Sequence, residues 1–337
     1  TLADMTPVEA LERVVHCLDR AHETGFKTRA FVRALEVVRS TPPEELVARS
    51  EAGTLTDLDG IGDSTARLIT EALQGDTSYV DKIEAETGVK LTDDGAKYRA
   101  ALKGDCHLHS LWSDGGATIE AMACTARGLG HDYMVLTDHS PRLTVAHGLS
   151  KERLEQQLAD VATLNEKMAP FRILTGIEVD ILEDGSLDHT DEVLSQLDVV
   201  VASVHSKLRM ERTAMTERMV RAVASPHVDI LGHCTGRLIG KRDQSTFDAD
   251  YVFAACAQFH TAVEINCRPE RLDPPRELLN LAIDYGCYFS IDSDAHATGQ
   301  LEWQPHGCNR AAECEVPLDR VINTWPADEL LRWVQAA

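Results

Sequence analysis

From residue 104 onward, seven short apolar runs recur, at 104–109, 132–138, 171–180, 197–204, 228–233, 261–266 and 287–292. Between them lie stretches with helical periodicity, at 119–129, 151–168, 213–224, 247–258 and 275–285. Runs of this length that are apolar on both faces read as strands of a parallel sheet, because crossover helices cover both sides of such a sheet. Repeated seven times, the alternation closes most naturally into a βα barrel. Seven units, not eight, are expected.

A second regularity coincides with the first. Six of the seven runs give way to a loop at or near a histidine or carboxylate, in GDCHLHSLWSDG, MVLTDHS, ILTGIEVDIL, VVVASVH, VDILGHCTGR and FSIDSDAH. The donors are His107, His109, Asp114, His139, Glu178, His205, His233, Asp294 and His296. In barrels of this kind the C-terminal strand ends converge, so groups far apart in sequence meet there. His107 and His109 lie on one face of an extended strand because side chains alternate, and Asp294 with His296 repeats the arrangement. Neutral imidazole with carboxylate suits Zn, Mn or Fe. Nine donors exceed the needs of a single ion.

Composition narrows the class further. With 337 residues, 43% of them apolar, the chain can bury one large core and a small one. Its formal charge of -22 weighs against nucleic-acid binding unless basic groups cluster or divalent ions reverse the local field. Nine cysteines without a C-x-x-C pair argue against disulfide frameworks and zinc ribbons. No apolar run approaches the roughly 20 residues of a membrane span, and the first residues lack a signal pattern, so a soluble cytoplasmic protein is expected.

Residues 1–78 read as a small all-α domain, with helices over Pro7 to Ala21 and Phe26 to Arg39 and a third opened by Pro42 and Pro43. LDGIGDSTARLI follows at 58–69. Gly60 and Gly62 allow a tight turn between helices, a helix-hairpin-helix whose exposed amides suit a DNA phosphate. The polar stretch 79–102 is expected to be a connection, and 103–337 the metal-bearing domain.

H-x-H with S-D-G, T-D-H-S, G-I-E-V-D-I-L, A-S-V-H, G-H-x-T-G-R and S-D-A-H resemble the PHP (polymerase and histidinol phosphatase) superfamily. The phrases ILTGIEVDI, MTERMVRA, PHVDILGHCTGRLIG and VINTWPADELLRWV are most similar to the PHP domain of bacterial family X DNA polymerases. The resemblance implies a distorted (β/α)7 barrel, three divalent ions and phosphoester hydrolysis. It assigns His107, His109, Glu178 and Asp294 to one ion, Glu178 with His205 and His233 to a second, and Asp114, His139 and His296 to a third. Arg237, Arg268 and Arg271 lie just past strand ends, where guanidinium forks would hold phosphate oxygens. His306 is a candidate proton donor, and Lys207 and His147 are weaker candidates at the site. Asp138 and Asp180 are read as carboxylates that orient ligands.

The first 75 residues are similar to the DNA-binding domain that opens family X polymerases. Lys27, Arg29 and Arg33 would form its basic face. Leu68 and Ser64 stand where that family has lysines, so lyase activity is not expected. Too few residues separate the hairpin from His107 for a polymerase palm. The expected activity is therefore metal-dependent 3′-to-5′ exonucleolysis in DNA repair, with abasic-site endonuclease or 3′-phosphatase activity beside it. Its partner would be DNA with 3′ ends or abasic sites, with no obligate protein partner. A small-molecule phosphatase acting on histidinol phosphate is the alternative.

Overall fold

The computed structural model describes residues 5–23 and 25–336. The chain divides into two units, Thr1–Val89 and Lys90–Ala337.

The first unit is built from helices α1 (Pro7–Arg20), α2 (Phe26–Ser40), α3 (Pro43–Ala52), α4 (Asp63–Leu73) and α5 (Ser78–Thr87). Thr6 and Glu9 close a capping box at the start of α1, satisfying two amides that the helix leaves free. Leu11, Val14, Phe31, Leu68 and Ile69 pack into one apolar core. Val80 and Ile83 of α5 join it, and Arg20 ties α5 down through the carbonyls of Glu84 and Thr87.

The stretch 79–102 does contain the division between the units, but it is largely helical. It forms α5 in the first unit and α6 (Asp93–Ala101) in the second, and the division falls between Val89 and Lys90. Its weak apolar periodicity is offset by tertiary partners: Asn309 holds Thr92 and Lys90, while the Tyr98 hydroxyl donates to the Val316 carbonyl at 2.6 Å.

The second unit carries strands β1 (Gly104–Leu108), β2 (Tyr133–Leu136), β3 (Arg172–Asp180), β4 (Val199–Ser203), β5 (Ile230–Leu231), β6 (Ala262–Asn266) and β7 (Phe289–Asp292). All neighbours are parallel, in the order β1 to β7. The sheet closes where His109 N–H donates to the Ala295 carbonyl at 2.8 Å and Asp294 N–H to the His107 carbonyl at 2.9 Å. This is the expected (β/α)7 barrel.

Helices α7 (Ile119–Gly128), α8 (Lys151–Met168), α9 (Asp191–Leu194), α10 (Arg212–Val223), α11 (Ala249–Gln258) and α12 (Arg276–Asp284) fall between consecutive strands. Helices α13 (Gln304–Glu313) and α14 (Ala327–Gln335) follow β7. One core layer joins Met134, Leu136 and Ile173 to Met122, Ala126 and Val161 of α7 and α8. Another packs Val135, Val199, Val201 and Ile230 with Ile322 and Leu330, so the last helix supplies apolar cover to the barrel strands. Gly176 is required by close packing, since a side chain there would begin 2.6 Å from the Val199 carbonyl oxygen. Among the described residues, no helix is long and apolar enough to cross a membrane. All nine cysteines are free thiols.

Candidate metal centre

Every strand delivers a polar group to the same end of the barrel. His107 and Glu178 project from β1 and β3, and His109, His139, His205, His233, Asp294 and His296 lie within a few residues of strand ends. Asp114 comes from the loop after β1. The left-handed backbone at His233 (φ 20°) and Asp294 (φ 53°) marks sites where local conformation is subordinated to side-chain placement.

Glu178 is the hub. Its Oε1 lies 2.9 Å from His233 Nε2 and 3.1 Å from His205 Nε2. Its Oε2 lies 3.2 Å from His107 Nε2, 3.0 Å from His139 Nδ1 and 3.5 Å from His109 Nε2. Asp294 Oδ1 is 3.5 Å from His109 Nε2, and Asp114 Oδ1 is 3.4 Å from His296 Nε2 and 3.5 Å from His139 Nε2. Three sets of donor atoms lie within 4.8 Å of one another: His109, Asp114, His139 and His296; His107, His109 and Asp294; and His139, Glu178 and His205. Eight of the nine expected donors fall in these sets, and His233 joins them through its contact with Glu178. His109 and His139 each stand between two sets.

The donor chemistry fits divalent ions. Among the described residues, His107 Nε2, both ring nitrogens of His109, His139 Nδ1 and Glu178 Oε2 are buried with no hydrogen-bond partner. Polar atoms left so in a protein interior are costly unless something coordinates them. Burial, with the neighbouring His296 and His139, pushes the His109 pKa down to about 3, leaving a neutral ring with a free lone pair. Burial works against the charge on Glu178, yet His107, His205 and His139 hold it well below the usual carboxylate range. Burial likewise opposes a charge on His205, but Glu178 and Asp180 raise its pKa to about 9.

The orienting carboxylates are only partly those expected from the sequence. Asp180 Oδ1 lies 3.3 Å from His205 Nδ1, as expected. Asp138 touches no ligand imidazole; it accepts from Ser110, Ser113 and Gln157 and so fixes the loop that carries Asp114. Glu264 was not anticipated. Its Oε1 lies 2.5 Å from His107 Nδ1, and its Oε2 accepts the His233 backbone N–H at 2.5 Å. The signal was a lone acid in the buried run AVEIN.

A cavity of about 340 Å³ opens over the donors. Arg268 and Arg271 line it, Arg268 with Nη1 at 3.4 Å from His296 Nδ1 and Arg271 with Nε at 3.4 Å from Asp294 Oδ2. Leu143, Val145 and Ala146 form an apolar part of the lining. Arg237 is not on this wall. Its guanidinium donates to the carbonyls of Arg271 and Leu272, because the chain doubles back at Gly236 (φ 62°) and turns the side chain toward the 268–273 loop. Arg242 lines the cavity instead. His306 sits on α13 outside the lining, and Lys207 and His147 are outside it too.

Residues 105–268 match the PHP domain family. The match lies within the barrel and covers just under half of the chain.

The chain is 41% identical over 222 residues to the DNA polymerase/3′-5′ exonuclease PolX of Bacillus subtilis (strain 168), a match covering 66% of this chain and 39% of the relative. It thus spans about two fifths of that relative. A "Probable phosphatase" of Thermoanaerobacter sp. (strain X514) is 27% identical over 234 residues, 65% of this chain and 89% of the relative. Among solved structures, histidinol phosphate phosphatase from Lactococcus lactis, crystallised with zinc, L-histidinol and phosphate, is 18% identical with a TM-score of 0.45, covering 62% of this chain and 92% of that one.

In the first unit, Lys27 and Arg29 are exposed on α2. Arg33 is paired with Asp59 at 2.6 Å. Gly60 adopts a φ of 100°, and a side chain there would begin 2.9 Å from Arg33 Nε. The Gly62 amide donates to Thr65 Oγ1 at 2.9 Å, so it is engaged within the turn rather than offered outward. The glycine turn leads into α4, and it leaves fewer free amide and guanidinium groups than the sequence suggests.

Proposed function

We propose that this chain is a trinuclear metal-dependent phosphoesterase that removes nucleotides from DNA 3′ ends, with abasic-site cleavage or 3′-phosphatase activity as side reactions. The reading is carried by one observation: a donor-lined cavity walled by arginines, in a chain 41% identical to a relative named as a DNA polymerase/3′-5′ exonuclease. His107, His109, Glu178 and Asp294 would hold one ion, Glu178, His205 and His233 a second, and Asp114, His139 and His296 the third. Divalent Zn, Mn or Fe held there supplies Lewis acidity toward phosphoryl oxygens and an activated water. Arg268 and Arg271 hold the phosphate and stabilise the charge that grows on its oxygens. Leu143, Val145 and Ala146 take the less polar part of the nucleotide.

The first unit would recruit DNA through Lys27, Arg29 and the Gly60 turn. A second reading, a small-molecule phosphatase acting on a substrate such as histidinol phosphate, is favoured by charge. Residues 1–89 hold nearly twice as many acidic as basic side chains, which opposes polyanion binding. The deciding experiment incubates the Mn-loaded protein with 3′-end-labelled DNA, abasic DNA and histidinol phosphate, with Asp294→Ala as control. DNA shortened by the parent and not by the variant supports the nuclease. Intact DNA with rapid phosphate release from histidinol phosphate rejects it.

A further inference from the structure

Arg242 enters the cavity by a route that strand-end reasoning does not reveal. Leu238 and Arg242 pair across a tight turn, each N–H donating to the other's carbonyl at 2.9 and 2.8 Å, and this folds the 238–242 segment toward the donors. Arg242 Nε donates to the Gly236 carbonyl at 2.9 Å. Among the described residues, its Nη groups have no carboxylate partner. Glu270, the carboxylate of the lining that is not a metal donor, is taken up by Lys241 at 2.5 Å and Arg268 at 3.5 Å.

The wall therefore carries charge in a row. Asp294, a metal donor, contacts Arg271 at 3.4 Å, and Arg242 lies near enough to Arg271 to sense its charge. Burial and the Arg271 charge both lower the Arg242 pKa. Arg271 Nη1 is also buried without a hydrogen-bond partner among the described residues. Arg242 and Arg271 line the same cavity, and guanidinium groups that feel each other's charge there repel at reduced dielectric and are relieved by an anion that both can fork.

We propose that Arg242 and Arg271 form a second phosphate subsite adjoining the metal centre, occupied by the neighbouring phosphate of a nucleotide substrate that carries two. The subsite rests on the nucleotide reading of the centre and deepens it. It would make the chain favour a terminal nucleotide within a strand over an isolated monoester.

The test titrates thymidine 3′,5′-bisphosphate and thymidine 5′-monophosphate by calorimetry into the Mn-loaded full chain, its Arg242→Gln variant and its Arg242→Lys variant. The parent is expected to bind the bisphosphate roughly tenfold more tightly, the scale of one charge-assisted pair. Arg242→Gln should erase most of that ratio, and Arg242→Lys should keep part of it, retaining charge without the fork. A parent that binds both alike, or a ratio unchanged in Arg242→Gln, overturns the subsite. If either variant fails to fold, a DNA 3′ end with a methylphosphonate at the penultimate linkage decides on the parent alone. A roughly tenfold loss in kcat/KM supports the subsite, and equal cleavage overturns it. Uncut DNA with an Arg242-dependent bisphosphate preference would reject the exonuclease reading and leave the subsite standing. Cut DNA without that preference would reject the subsite alone.

Discussion

Glu264 Oε1 lies 2.5 Å from His107 Nδ1, with both side chains fully buried. The contact settles which ring nitrogen of His107 faces the centre, since a carboxylate on Nδ1 leaves Nε2 for coordination. The other Glu264 oxygen accepts the His233 amide, so one acid on β6 braces donors from β1 and from the loop after β5.

Replacing Glu264 by Gln keeps the shape and removes the charge. Metal affinity is expected to fall by about 10–100-fold, the usual effect of losing such a partner. Equilibrium dialysis against Mn or Zn would measure it, and an unchanged affinity would show that His107 needs no bracing.

Glu178 contacts five imidazoles through two oxygens, so Glu178→Gln should be more severe. Added metal should raise the Tm of the parent, because an ion binds only the folded donor set. The variant should lose most of that shift and at least about 100-fold in phosphoester hydrolysis. A full metal-induced shift in the variant would exclude a bridging role.

Asp229 gives a pH signature away from the metal donors. Its Oδ2 accepts the Val200 N–H at 2.7 Å, yet burial raises the carboxyl from 3.8 to about 8. Between those values the folded state keeps a proton that the unfolded state has released, so stability falls as pH rises from about 4 to 8 and then levels. Asp229→Asn keeps an acceptor and removes the titration. Its Tm advantage over the parent should grow by roughly 5 °C between pH 5 and pH 8. Parallel Tm curves would refute this.

Gly60→Val tests the hairpin. The left-handed backbone and the 2.9 Å approach of Arg33 leave a valine no strain-free position. DNA affinity, read by fluorescence anisotropy, is expected to drop several-fold with metal content unaltered. Equal affinity would remove the turn from the DNA-binding surface.

Most of the barrel was legible because its signals are local. Apolar runs of strand length alternating with periodic helices placed all seven strands to within a few residues, and period-two alternation put His107 and His109 together. The helices α5 and α6 were not legible: their own sequences are polar, and Arg20, Asn309 and Val316 stabilise them from elsewhere in the chain. Glu264 could have been found as an acid facing inward from a predicted strand. Arg237 and Arg242 could not. Both lie in one irregular loop, and the backbone turn at Gly236 and the Leu238–Arg242 pairing decide which guanidinium reaches the cavity.

The amino-acid sequence by itself determined the barrel, the nine donors and their gathering at one end, because strand periodicity and strand-end position are properties of short segments. Tertiary structure alone decided that Glu178 presents one oxygen to His205 and His233 and the other to His107, His109 and His139, that Glu264 braces the donors, and that Arg242 lines the cavity. Those relationships depend on angles between side chains from different strands, which only closure of the barrel sets.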